Sequence, residues 1–264
     1  MLFFILKERA ALLFSVLSAA LFTATAVALP QGFALGDLGI SVVPGAGLPV
    51  VLGVFGGPAA GLGCAAGVLL SHCMLASLSW ACLPELLSAF FVSLSAFKFW
   101  DLFERRGFGA PLSVAGNDLI LRLLIICFTS AALYGYFSAL AYVAATGAFT
   151  AVDAFLYAFL DGLASGCVIG IPGFFLLSAA PWPELRQSMR SRGAGGLTQR
   201  GKKRMREAQG LLLLCFVLTL LDAYVSGFSF EEGAAVGTPA FVLLSGAALA
   251  IAVAWICGAD YELS

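Results

Sequence analysis

Charge is scarce in this sequence. Asp, Glu, Lys and Arg together make up only 11% of the residues, against roughly 25% in a soluble domain. A chain this poor in charge cannot cover a water-facing surface, which excludes an ordinary soluble protein. Histidine is nearly absent too, since His72 is the only one. No Ser/His/Asp set and no paired His/Asp metal motif can be assembled around it, so no catalytic residue, metal or cofactor is expected. The seven cysteines include no CxxC pair and sit almost entirely inside apolar runs. They read as small buried hydrophobes rather than a disulfide framework. A GxxxxGK[ST] loop, which cradles nucleotide phosphates, is missing, so an ATPase of its own is not expected. The net charge of −1 gives no basis for nucleic-acid binding.

What is abundant is apolar sequence. Hydrophobic residues account for 61% of the chain, and the mean hydropathy is +1.00. The pattern predicts an all-α, polytopic membrane helix bundle. Between charged or Gly/Pro-marked breaks we read eight helices: Ala10–Leu29, Ile40–Phe55, Ala59–Leu78, Pro84–Trp100, Leu119–Ala145, Val152–Leu177, Gly210–Tyr224 and Gly237–Cys257. The first follows Lys7 and Arg9, and Ala26-Val27-Ala28 resembles a cleavage site. However, its 20 apolar residues match a full span, which needs about 20, better than a signal core of about 7–15. It is expected to stay. The chain divides into a six-helix membrane core (1–180), a basic linker (181–209) and a C-terminal helix pair (210–264).

The placement of positive charge supports this map. With both termini in the cytoplasm, all 14 Lys and Arg residues fall on the inner side. They are Lys7, Arg9, Lys98, Arg105, Arg106, Arg122 and the eight from Arg186 to Arg206. The outer loops carry Asp37, Glu231 and Glu232 but no cation. Such segregation is what the positive-inside rule describes. It predicts a multi-pass protein of the cell membrane. The dense basic run would also attract anionic lipid. The segregation requires the second segment to cross, although it is short. Sixteen residues at about 1.5 Å each span about 24 Å, less than the hydrocarbon core of about 30 Å. Pro44 and Pro49 interrupt it further. Irregular backbone at membrane depth must be buried in protein or line a wet cavity. An outward cavity is therefore expected, floored by the second helix near Asp37, Val43 and Gly47, with walls from the fourth and sixth.

The most informative stretch runs from Gly36 to Ser71. An acidic residue, Asp37, precedes a Pro/Gly turn. A short helix carrying Leu48-Pro49 follows, then Phe55-Gly56-Gly57-Pro58, then a helix with Gly61, Ala65 and Gly67. Downstream lies Pro84-Glu85-Leu86-Leu87-Ser88-Ala89-Phe90. This arrangement over residues 10–180 resembles the substrate-binding S components of energy-coupling factor (ECF) vitamin transporters, in which a Phe-Gly-Pro-like turn joins a short second helix to a small-residue-rich third. The chain departs from that family by one extra glycine in the turn, a basic linker and two further helices. The resemblance implies a membrane-embedded subunit that captures a small vitamin-like solute and is energised by a separate coupling subunit and ATPases. It also implies a docking surface on small residues of the first helix, here Ala20, Ala24 and Ala28. Ser15, Ala19 and Thr23 repeat the same spacing. Small residues let helices approach closely, so either stripe could equally pack within this protein.

The expected ligand-binding residues are Phe33, Asp37, Gly47, Trp80, Glu85 and Asp153. The carboxylates map to the outer side, where no Lys or Arg is available, so a neutral or cationic ligand is favoured over a polyanion. Phe33 and Trp80 could stack on a ring or belong to an interfacial belt. Glu85, next to Pro84, could also complement a helix N-terminus. His72 is expected to be hydrogen-bonded and structural. Asp161, deeper in the sixth helix, could bond a neighbouring helix or a ligand. A membrane sensor or scaffold of the same fold is the alternative function.

Overall fold

The structure, a computed structural model, describes residues 9–29, 32–34, 40–80, 82–103, 116–146, 151–179, 197–225 and 239–259. It is an all-α helical bundle, and among the described residues five helical stretches, Arg9–Ala28, Pro44–Met74, Cys82–Leu102, Leu119–Val143 and Ala154–Ser178, are long and apolar enough to cross a membrane. In chain order the elements are α1 (Arg9–Ala28), a ribbon of β1 (Phe33–Ala34) and β2 (Ser41–Val42), α2 (Pro44–Met74), α3 (Cys82–Phe103), α4 (Gly116–Thr146), α5 (Ala151–Ser165), a π-helical turn (Gly166–Gly170), α6 (Ile171–Ala179), α7 (Gln199–Val225) and α8 (Pro239–Cys257). The ribbon is antiparallel and pairs Phe33 with Val42.

The centre of the bundle is α2. It is two helical legs joined at Gly57, whose φ of 52° and ψ of −130° lie outside the helical region. Only glycine adopts that conformation without strain, and Pro58 then restarts a helix with its φ already set. The legs fold back on each other. The Phe22 ring lies against both Gly45 of the first leg and Gly67 of the second, and Gly56 near the turn lies against Phe14. Levels matched in this way along α1 make the legs antiparallel. The first leg, 44–56, is about 20 Å long at 1.5 Å per residue, as short as its sequence suggests.

Glycines set how closely the neighbours approach. A side chain on Gly63 would collide with the Ser15 carbonyl and the Ser18 Cβ, and one on Gly53 with the Ser93 backbone. Ala19 lies against Gly67, and the Thr23 hydroxyl donates to the Gly67 carbonyl at 3.2 Å. The Ser15/Ala19/Thr23 stripe is therefore an internal seam. Ala20, Ala24 and Ala28 lie on exposed positions of α1. Where the hydrophobic effect is weak between helices, such close contacts supply the association.

The sixth predicted helix is real but irregular. Pro172 has no N–H to bond back to the preceding turn, and its ring crowds the carbonyl there. The π turn just before it absorbs the misfit. Gly47 crosses here, where an added Cβ would fall only 2.6 Å from the Ser165 carbonyl oxygen and 3.0 Å from Ile169.

The linker reading of 181–209 needs correction at its C-terminal end. Helix α7 starts at Gln199, so Arg200, Lys202, Lys203, Arg204 and Arg206 occupy its first turns. Lys, Arg, Met, Glu, Ala and Gln are all good helix formers, and polarity alone does not make a loop. The C-terminal pair is fastened to the core through the end of α8. Lys98 of α3, 2% exposed, donates to the carbonyls of Ile256 at 2.6 Å and Ala259 at 2.9 Å. Arg204 of α7 donates to Gly258. Cations satisfy orphan carbonyls at a helix C-terminus and oppose its dipole.

These contacts give the bundle two unlike ends. The start of α1, the Gly57 turn, the end of α3, the start of α4, the start of α7 and the end of α8 lie together. Every described Lys and Arg belongs to that end. The opposite end holds the end of α1, the start and finish of α2, the start of α3 and the end of α4.

Candidate functional site

A cavity of about 520 Å³ occupies the end without cations, within the range of roughly 300–1,000 Å³ found for small-ligand sites. Phe22 and Ala26 of α1, Val43 at the start of α2, His72 near its finish, Glu85 and Ser88 of α3, and Tyr134 and Tyr142 of α4 are among its walls.

His72 and Glu85 form the polar feature of this cavity. Imidazole Nε2 lies 2.7 Å from Glu85 Oε2, and Nδ1 lies 2.9 Å from the Ser77 hydroxyl. A carboxylate oxygen accepts here, so Nε2 carries a proton and donates to Glu85. The pair bridges the second leg of α2 and the first turn of α3, where Glu85 also faces the positive helix terminus. Glu85 is half-exposed and His72 less so. Ser88 follows one turn later. It is 3% exposed, lines the cavity, and its hydroxyl makes no hydrogen bond.

A second polar cluster holds the β ribbon against α5. The Ser41 N–H donates to Asp161 Oδ1 at 2.7 Å. The Val43 N–H donates to Ser165 Oγ at 2.7 Å, and Ser165 donates to the Asp161 carbonyl at 2.5 Å. Of the two roles expected for Asp161, this is the structural one. It caps a neighbouring segment and fixes where α2 begins.

The structure distributes the residues expected from sequence as follows. Glu85 lines the cavity. Phe33, on β1 and 55% exposed, and Trp80, 85% exposed, are not part of its lining. Gly47 is buried against α5 and the π turn. Asp37 and the Asp153 side chain lie outside the described residues. The wall expected from the fourth helix is present as α3. The other walls come from α1, both ends of α2 and α4, and among the described residues none comes from the sixth. Trp100, at the end of the fourth predicted helix, is buried against Phe174 with ring centroids 4.9 Å apart. Sequence reasoning passed over Ser88, Tyr134 and the partnership of His72 with Glu85. Ser88 stands three residues after Glu85, which puts both on one helix face.

Among the described residues no group of His, Cys, Asp and Glu could hold a metal ion. The chain matches no protein-family model, no curated protein and no solved structure. Fold and site therefore define a class, an α-helical membrane-type bundle with a cavity at one end.

Proposed function

We propose that this chain is the membrane-embedded substrate-binding subunit of an uptake system for a small solute, energised by separate subunits. The observation that carries this reading is the cavity, placed at the end of the bundle opposite every described cation. By the positive-inside rule the cationic end faces the cytoplasm. The cavity then faces outward, both termini lie inside, and the two legs of α2 count as two of eight crossings. The resemblance of the Gly36–Ser71 stretch to ECF S components supports the same reading, and the short first leg of α2 starts in the cavity lining, at Val43 and Gly45. Catalysis has no part in it. The exposed Ala20/Ala24/Ala28 stripe is the surface where a coupling subunit would dock, since the companion stripe is occupied by Gly63 and Gly67.

The test is purification from native membranes in mild detergent. Copies carrying ATP-hydrolysing subunits are expected for the wild type, and loss of those subunits without loss of fold for Ala24→Leu. Retention of every partner by Ala24→Leu refutes the docking surface. Signalling or cell-wall proteins in place of ATPases refute the transport role.

A further inference from the structure

We infer that the cavity takes an organic ammonium compound with a ring-sized apolar body, and that His72 holds the place of its ammonium group on Glu85 while the site is empty. This rests on the cavity being a solute site.

Four observations converge. Among the described residues lining the cavity, Glu85 carries the single carboxylate and no lysine or arginine is present. One oxygen of that carboxylate is taken by an imidazole N–H from the facing helix, at the short distance of 2.7 Å typical of charge-assisted bonds. An incoming ammonium offers the same donor with a full charge, so it would displace His72 rather than leave Glu85 unpartnered. The ring of His72 has a second anchor in Ser77, which gives it a position to keep when Glu85 is engaged by ligand. Phe22, Tyr134 and Tyr142 supply aromatic surface in the same cavity lining, and aromatic faces attract an organic cation.

A carboxylate ligand would meet Glu85 with like charge, and a purely apolar one would leave it unanswered.

The experiment uses the purified full-length chain and calorimetry with three isosteres: 2-phenylethylammonium, 2-phenylethanol and 3-phenylpropionate. The wild type is expected to bind the ammonium about tenfold or more tightly than the alcohol, the value of one hydrogen bond to a charged group, and the carboxylate weakest. Glu85→Gln should level that order. His72→Ala should tighten ammonium binding several-fold, whereas a merely structural histidine would weaken it or leave it unchanged. If the alcohol or the carboxylate binds the wild type as tightly as the ammonium, the ligand class is wrong while the cavity stands as a site; that comparison needs no variant. If His72→Ala weakens ammonium binding, the place-holding role is wrong. If no isostere binds, or if Ala141→Trp, which fills the cavity, leaves all binding unchanged, the solute-site reading falls as well.

Discussion

Replacing Gly57 by alanine separates a helical hairpin from a helix that merely bends. At φ 52° and ψ −130° the backbone occupies a region essentially reserved for glycine, and a Cβ there costs about 1–3 kcal/mol. The new methyl would also sit 3.1 to 3.2 Å from the Phe97 ring, so Phe97 must give way by a few tenths of an ångström. At about 1.4 kcal/mol per tenfold, the folding equilibrium should fall by roughly tenfold or more. Gly210→Ala is the matched control. It lies inside α7 with nothing within 4 Å of the added Cβ, and alanine is better in a helix than glycine by up to about 1 kcal/mol. Thermal and detergent denaturation of both variants in one detergent should move them in opposite directions. If Gly57→Ala is as stable as wild type, or if both variants lose stability alike, the turn is not a glycine-dependent hairpin and the two-legged reading of α2 fails.

Three further outcomes follow from the geometry. Asp161→Ala should destabilise the protein by about 1.5–3 kcal/mol, the range for a hydrogen bond to a charged acceptor, because the Ser41 N–H loses its partner; an unchanged melting temperature counts against the cap. Lys98→Met should speed amide hydrogen exchange in the last turn of α8, whose carbonyls lose their donor, while exchange in α4 stays as it was; equal exchange in wild type and variant counts against the clamp. In a cysteine-free background, Arg200→Cys and Glu232→Cys should label from opposite faces of the membrane, and equal access to an impermeant reagent overturns the topology.

Much of the fold is legible in the sequence because the bilayer imposes a simple rule. A span must be long and apolar, and a break must carry charge, Gly or Pro. The Phe55-Gly56-Gly57-Pro58 turn and the shortness of the leg before it are read directly on that basis. Helix α7 is misread over residues 199–209 because its first turns are basic, and charge there marks the membrane boundary rather than the end of a helix. The π turn escapes because nothing local distinguishes it from an ordinary helix ahead of Pro172. The cavity is the least legible feature. Its shape follows from helix crossings set by contacts far apart in sequence, such as Ser15 with Gly63 and Gly47 with Ser165. Aromatic residues at span ends, such as Trp80, suggest ligand contacts that the tertiary arrangement does not bring to the cavity. The His72–Glu85 pair was within reach, since the lone histidine and that acid sit on either side of one short connection at the same end of adjacent helices.

The claim at the centre of this account is that the cavity holds a small solute. Native mass spectrometry of the chain, extracted gently from its own membrane, measures that directly. The wild type is expected to carry one small molecule per chain, and Ala141→Trp, folded but with the cavity filled, is expected to carry none. A wild-type chain free of any small molecule, or the same molecule retained by Ala141→Trp, would contradict the account.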